Sequence, residues 1–198
     1  MTLLLEDPPQ PLTRKPVTAQ QLLSLPDQDR FELVNNEIVE RCMGWESELF
    51  GSRLLIQLGA YCEQAGLGEV NGSNASYQCF GHAFPDDPDR VRKPDVSFIA
   101  AKRLPRSSEI KGHCMIAPDL AVEVVSPHDL YGDVEAKVDE YLQAGVKLVW
   151  VVDPRTKSIR IHRPDGTVQD LGLKDELNGE DIVPGFRCAV SHIFKATT

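Results

Sequence analysis

A mixed α/β (α+β) fold, a central sheet flanked by helices, is predicted by three observations. Helix-period and strand-period segments alternate along the chain; two short apolar runs, "LAVEVV" and "KLVWVV", are the length of buried strands; and a helical stretch, "DVEAKVDEYLQAG", lies between those runs as a crossover would. The chain has 198 residues, 41% hydrophobic and 26% charged, which suits one globular domain. We expect a flexible N-terminal arm over residues 1–17 and a single domain over 18–198.

The elements follow in order. Thr18 is an N-cap for "TAQQLLSL", which ends at Pro26. "RFELVNNEIVER" reads as a hairpin, because its apolar residues alternate about Asn35-Asn36, a pair that tolerates the positive φ of a two-residue turn. From about Glu46 to Ala65, Leu54, Leu55, Leu58 and Tyr61 recur at helical spacing, and Gly66 and Gly68 follow as a C-cap would. "EVNGSNASYQCF" is strand-like, "GHAFPDDPDRVRKP" a loop, and "DVSFIAA" a strand; residues 102–117 are a loop or short helix. Residues 119–125 form a strand. The crossover helix has Asp133 as its expected N-cap and Gly145 as C′. "KLVWVV", "SIRIHR" and "TVQDL" form a meander, and the tail reads as a closing strand and a short helix.

Composition narrows the function classes. No run of 18 or more apolar residues exists, so no membrane helix is expected. Five cysteines at irregular spacing, without a secretory leader, point to a reducing, cytoplasmic setting. The net charge of -9 argues against a surface that binds nucleic acid everywhere. Yet Arg90, Arg92, Lys93, Lys102, Arg103, Arg106 and Lys111 face only two acids over the same interval. Such a run is either a solvated face or a local phosphate-facing patch. Cys79, His82, His113 and Cys114 are four conceivable zinc ligands, but their spacing matches no zinc module, and lone cysteines are usually small core residues.

The chemical question centres on Glu123, a carboxylate in the middle of an apolar strand. Such a group is costly unless it is paired, protonated or bound to a metal. Asp119, four residues earlier, lies about 13 Å away at about 3.3 Å per residue and cannot share an ion with it. Asp95 starts another strand. If the two strands are neighbours, Asp95 and Glu123 face each other about 5 Å apart, where a divalent cation such as Mg²⁺ or Mn²⁺ would relieve their repulsion. A structural ion pair with lysine or arginine explains Glu123 equally well at this level.

The ordered segments "RVRKPDVSFI", "PDLAVEVVSPHD" and "EAKVDEYLQAGVKLVWVVDP" resemble the Uma-type restriction-endonuclease family, within the PD-(D/E)XK nuclease superfamily. The likeness runs from "FELVNNEIVE" to "VPGF". It implies a restriction-endonuclease-like core and a Mg²⁺- or Mn²⁺-dependent hydrolase of DNA. Asp95, of Pro94-Asp95, matches the first metal ligand and Glu123 the second. The superfamily lysine two residues after the second acid is replaced here by Val125. The Uma-type pattern puts that lysine on the following helix, at Lys137. Glu32 matches an early acid that completes the site. The sequence departs from the pattern at the start of the long helix, "MGWESELFGSRLL", where many relatives have a histidine; Glu46 and Glu48 stand there as surface acids.

The expected assignment is therefore catalytic Asp95, Glu123, Lys137 and Glu32, metal-binding Asp95 and Glu123, and DNA-binding Arg90, Arg92, Lys93, Lys102 and Arg103. A duplex substrate suggests a homodimer. The competing expectation is a nuclease-fold binding or assembly module without catalysis, favoured by the net charge and by Val125.

Overall fold

The computed structural model describes residues 16–41, 44–104, 111–127 and 129–196. The expected arm therefore lies outside the described residues except for Pro16 and Val17, and Val17 donates its N–H to the Asn36 carbonyl at 3.3 Å.

Helix α1 (Ala19–Leu22) opens on a capping box: Thr18 accepts from the Gln21 N–H, and the Gln21 side chain accepts from the Thr18 N–H. Strands β1 (Phe31–Val34) and β2 (Glu37–Glu40) pair as the expected hairpin, with Asn35 and Asn36 at φ 53° and 61° in its turn. Helix α2 (Trp45–Ala65) ends on Gly66 in the left-handed conformation.

Six strands then form the central sheet: β3 (Gly68–Gly72), β4 (Val96–Ala100), β5 (Leu120–Val124), β6 (Leu148–Asp153), β7 (Ser158–His162) and β8 (Val168–Leu171), in that spatial order. Only β5 and β6 are parallel; every other pair is antiparallel. Helix α3 (Tyr131–Gln143) makes the crossover that a parallel pair requires. Strands β9 (Glu176–Asn178) and β10 (Arg187–Ala189) form a separate pair, followed by α4 (Val190–Ile193). The tail therefore holds two strands where one was expected.

Side chains alternate across β5. Leu120, Val122 and Val124 pack with Leu54 and Leu58 of α2, while Ala121 and Val125 pack with Val134, Val138 and Tyr141 of α3. Glu123 shares the second parity and meets α3. The expected Asp133 cap is corrected: α3 starts after Leu130, and Asp133 lies in its first turn. The reason is local, because Asp129 accepts the Ser126 N–H at 2.7 Å and closes a turn that lets the helix begin earlier.

Candidate active site

Strands β4 and β5 are antiparallel neighbours, with Val96 opposite Val122. Continuing that register by one residue sets Asp95 opposite Glu123. The backbone holds Asp95 there: its N–H donates to the Val122 carbonyl at 2.9 Å, and its Oδ2 accepts the Val124 N–H at 2.7 Å. Its Oδ1 accepts from Arg41 Nη2 at 3.1 Å, and Arg41 is anchored by donating to the Ser73 carbonyl at 2.8 Å. Burial, and then the Glu123 carboxylate beside it, push the Asp95 pKa up to about 7.

Glu123 is 6% exposed and takes two donors from α3. Tyr141 donates its hydroxyl to Oε1 at 2.7 Å, and Lys137 its ammonium to Oε2 at 3.0 Å. These residues are four apart on the helix, so they meet the strand on one face. Burial works against the charged ammonium of Lys137, but Glu123 and Glu32 outweigh it and hold its pKa above the ordinary lysine range. Burial and the same two carboxylates raise the Tyr141 phenol well above its usual value, so it stays a donor.

Glu32 arrives from β1. Leu33 and Val91 exchange backbone hydrogen bonds at 3.0 and 2.8 Å, which lays the segment before Asp95 along the hairpin. Glu32 is 1% exposed and accepts from the Lys93 N–H at 2.8 Å and from Arg92 Nη1 at 2.8 Å, with Lys137 Nζ 3.7 Å away. Burial alone would raise its pKa; Lys137, Arg92 and the Lys93 N–H together keep it below the usual carboxylate range. Arg92 continues the network by a bidentate bond to Glu140 of α3 at 2.6 and 2.8 Å, and Arg90 links Glu140 to Asp87 at 2.8 Å on each side.

The structure thus brings together Asp95, Glu123, Lys137 and Glu32. It does not present the expected DNA-facing run. Arg90, Arg92 and Lys93 are buried, because acids distant in sequence pair them internally and Lys93 donates to the Gln28 carbonyl at 2.6 Å. Arg103 pairs with Asp119 at 2.7 Å. Lys102 is exposed, and Arg106 lies outside the described residues. Glu46 and Glu48 are exposed, as surface acids are.

Sequence reasoning missed three participants. Arg41 on Asp95 left no local signal. Glu140, one turn after Lys137 on the same helix, gave no sign of its distant partners Arg90 and Arg92. Tyr141 is fully buried as an aromatic core residue would be, and its hydroxyl also serves Glu123.

Asp95 and Glu123 are the residues of this cluster whose chemistry suits a hard divalent cation. Two carboxylates stand opposite each other, one with its pKa raised partly by the other, and Mg²⁺ is bound by one or two carboxylates plus water and phosphate oxygens. Among the described residues, no group of three or more His, Cys, Asp or Glu side chains forms an ion-binding cluster. That applies equally to the cysteine and histidine set: both His113 ring nitrogens are engaged, by Ser76 Oγ at 2.8 Å and the Ala19 carbonyl at 2.9 Å. No helix among the described residues is long and apolar enough to cross a membrane.

No curated protein matches the chain. A crystal structure of "a putative nuclease belonging to DUF820" from Anabaena variabilis ATCC 29413, at 1.96 Å resolution, shares the fold with TM-score 0.75 at 19% identity, over 90% of this chain and 98% of that one. The family model Uma2, described as "Putative restriction endonuclease", matches residues 19–191. With a restriction-endonuclease-like sheet and a match across most of its length, the chain belongs to the Uma2 family.

Proposed function

We propose that the chain is a divalent-metal-dependent endonuclease that hydrolyses DNA phosphodiester bonds. The single observation that carries this reading is Asp95 opposite Glu123 with the Lys137 ammonium on Glu123. Asp95 and Glu123 would hold Mg²⁺ or Mn²⁺, which supplies polarisation of the scissile phosphate and a water of lowered pKa. Lys137 stays charged and adds positive potential where negative charge develops on the phosphate. Glu32 and Glu123 hold that ammonium between β1 and β5, and Tyr141 fixes the orientation of Glu123. We further propose that residues 18–198 act as one nuclease-like domain, as a homodimer, in a reducing cytoplasm. Lys102 remains as a candidate backbone contact.

The direct test is supercoiled plasmid and single-stranded circular DNA, each with Mg²⁺ or Mn²⁺. Cleavage that Asp95→Ala and Glu123→Ala both abolish is the expected result. No cleavage in either metal, across salt and pH, overturns the reading.

One observation favours the second reading, a binding module of the same fold. Every oxygen of Asp95 and Glu123 already has a protein donor. Calorimetric titration separates the two. Mn²⁺ binding lost in Asp95→Ala belongs to the nuclease reading; no Mn²⁺ heat belongs to the module.

A further inference from the structure

We propose that this site takes nucleic acid whose bases are unpaired at the scissile step — a single strand, a flap or a frayed end — and that the Trp45 indole is the platform for one such base. The inference rests on the hydrolytic reading above and narrows its substrate.

Trp45 is 84% exposed, more than any other large apolar side chain among the described residues. It begins α2 and lines a cleft of about 380 Å³ together with Arg41, Ser73, Glu48 and Asp95. The same helix passes close to the acid: a Cβ on Gly51 would lie 3.8 Å from the Asp95 Cβ and from Val124. An open indole face and the proposed metal ligand therefore border one cavity. No aromatic ring or cation among the described residues covers that indole.

Charge argues for stacking over backbone attraction. Duplex binders gain most of their non-specific affinity by neutralising phosphates with lysine and arginine. Here Arg90, Arg92 and Lys93 are buried in internal contacts, and Arg41, the one cation lining the cleft among the described residues, sits on Asp95. Glu46 and Glu48 follow Trp45 in the first turn of α2 and add negative charge there. A cleft with little positive potential and a large exposed indole favours a ligand that presents a π-face. Bases in a duplex have their faces covered by their neighbours; unpaired bases do not, and each stacks on an aromatic side chain irrespective of its identity.

The chain itself supplies the probe. It has two tryptophans, and Trp150 is fully buried, stacked on Phe186 with ring centroids 6.1 Å apart. A change in tryptophan emission on adding nucleic acid therefore reports Trp45. The full chain is titrated in EDTA with oligothymidylate and with a blunt hairpin duplex of equal length. Saturable quenching by the single strand, with the duplex about tenfold weaker or more, is expected. Trp45→Ala weakens single-strand binding by about 5- to 150-fold, measured by anisotropy of a labelled oligonucleotide, with an unchanged melting curve. Trp45→Phe keeps most of the binding and loses the emission change. Equal affinity for both ligands, or a Trp45→Ala variant that binds like the parent, overturns the proposal. Quenching that grows with protein concentration alone, accompanied by a dimer mass in light scattering, makes a second copy the occupant and also overturns it. If single strands bind through Trp45 but no metal supports cleavage, hydrolysis fails and the base platform stands. If duplex is cut while single strands are neither bound nor cut faster, the platform fails and hydrolysis stands.

Discussion

Asp119, just before β5, and Glu123, near its end, are four residues apart, and they are 2% and 6% exposed. Burial does not separate them; company does. Asp119 accepts from Lys147 at 2.6 Å, forms an ion pair with Arg103 at 2.7 Å and takes the Ala100 N–H at 2.9 Å. Burial works to raise its pKa, but these donors prevail and hold it below the ordinary carboxylate range. At the other end, Glu123 stands opposite Asp95, whose pKa is pushed up to about 7 by burial first and by the Glu123 carboxylate second. One end is an ion cluster with cations in excess, which ties the strand to its neighbours. The other sets acid against acid, with Arg41 on one and Lys137 on the other, and the repulsion between the two carboxylates costs stability. A like-charged partner added to depth marks the candidate site.

The comparison breaks most severely at Arg92, which joins Glu32 and Glu140 to the acidic end. Arg92→Met leaves two buried carboxylates without their main partner and should cost about 3–5 kcal/mol in chemical denaturation. A loss below 1 kcal/mol would mean that the acids are solvated and that the network does little for stability.

Asp95→Asn sharpens the contrast through pH. In metal-free buffer the unfolded Asp95 ionises near 3.8, whereas the folded one ionises only near 7. The folded state therefore holds the extra proton between those values, and this group's contribution to stability declines as pH rises from about 4 to about 7, by roughly 4 kcal/mol at most. Asp95→Asn should flatten that decline in urea melts taken across the interval. Saturating Mn²⁺ should flatten it as well in the parent chain, if the metal favours the ionised carboxylate.

Lys137→Met should lower cleavage by about two orders of magnitude or more while circular dichroism stays native. Unchanged cutting would remove Lys137 from the mechanism. The smallest effect belongs to the structural end. Asp119→Asn should lose about 1–3 kcal/mol of stability and leave cleavage per folded molecule unaltered. Since its folded pKa is lowered, the stabilisation from Asp119 is present above the unfolded value and is lost as pH falls through the folded one. The penalty of the substitution should therefore shrink in acid, below about pH 4.

Much of this was legible beforehand because it is local. Asn35-Asn36 announced the hairpin turn, Gly66 and Gly145 ended their helices, and the parity of "LAVEVV" turned Glu123 to the same side as Val125. The meeting of Asp95 with Glu123 needed only the adjacency of two strands. What escaped was long-range pairing. Arg92 meets Glu140 across 48 residues and Glu32 across 60, so a run of basic residues in a Pro-rich loop looked solvated while its neutralising acids lay elsewhere in the chain. Charge summed over a window shows a surface patch only when the counter-charges also lie in that window. The Asp133 cap failed for a smaller reason: Asp129 closed its own turn one step earlier and moved the helix start.

The packing of α3 over β5 has a consequence for how such sites change over time. Val125 and Lys137 line one small space together with Glu123, one from the sheet and one from the helix. A positive charge is wanted at one location, and two positions in the chain have access to it. Once the helix carries the ammonium, the strand position is released to be an ordinary apolar core residue, and it can tighten the packing that holds the helix down. Two lysines would repel each other across so short a gap, and none would leave the acids unanswered. On the proposed reading, the ammonium's role belongs to an address in space and not to a position in the chain, and the sheet, the acids and the crossover are the same whichever wall supplies it.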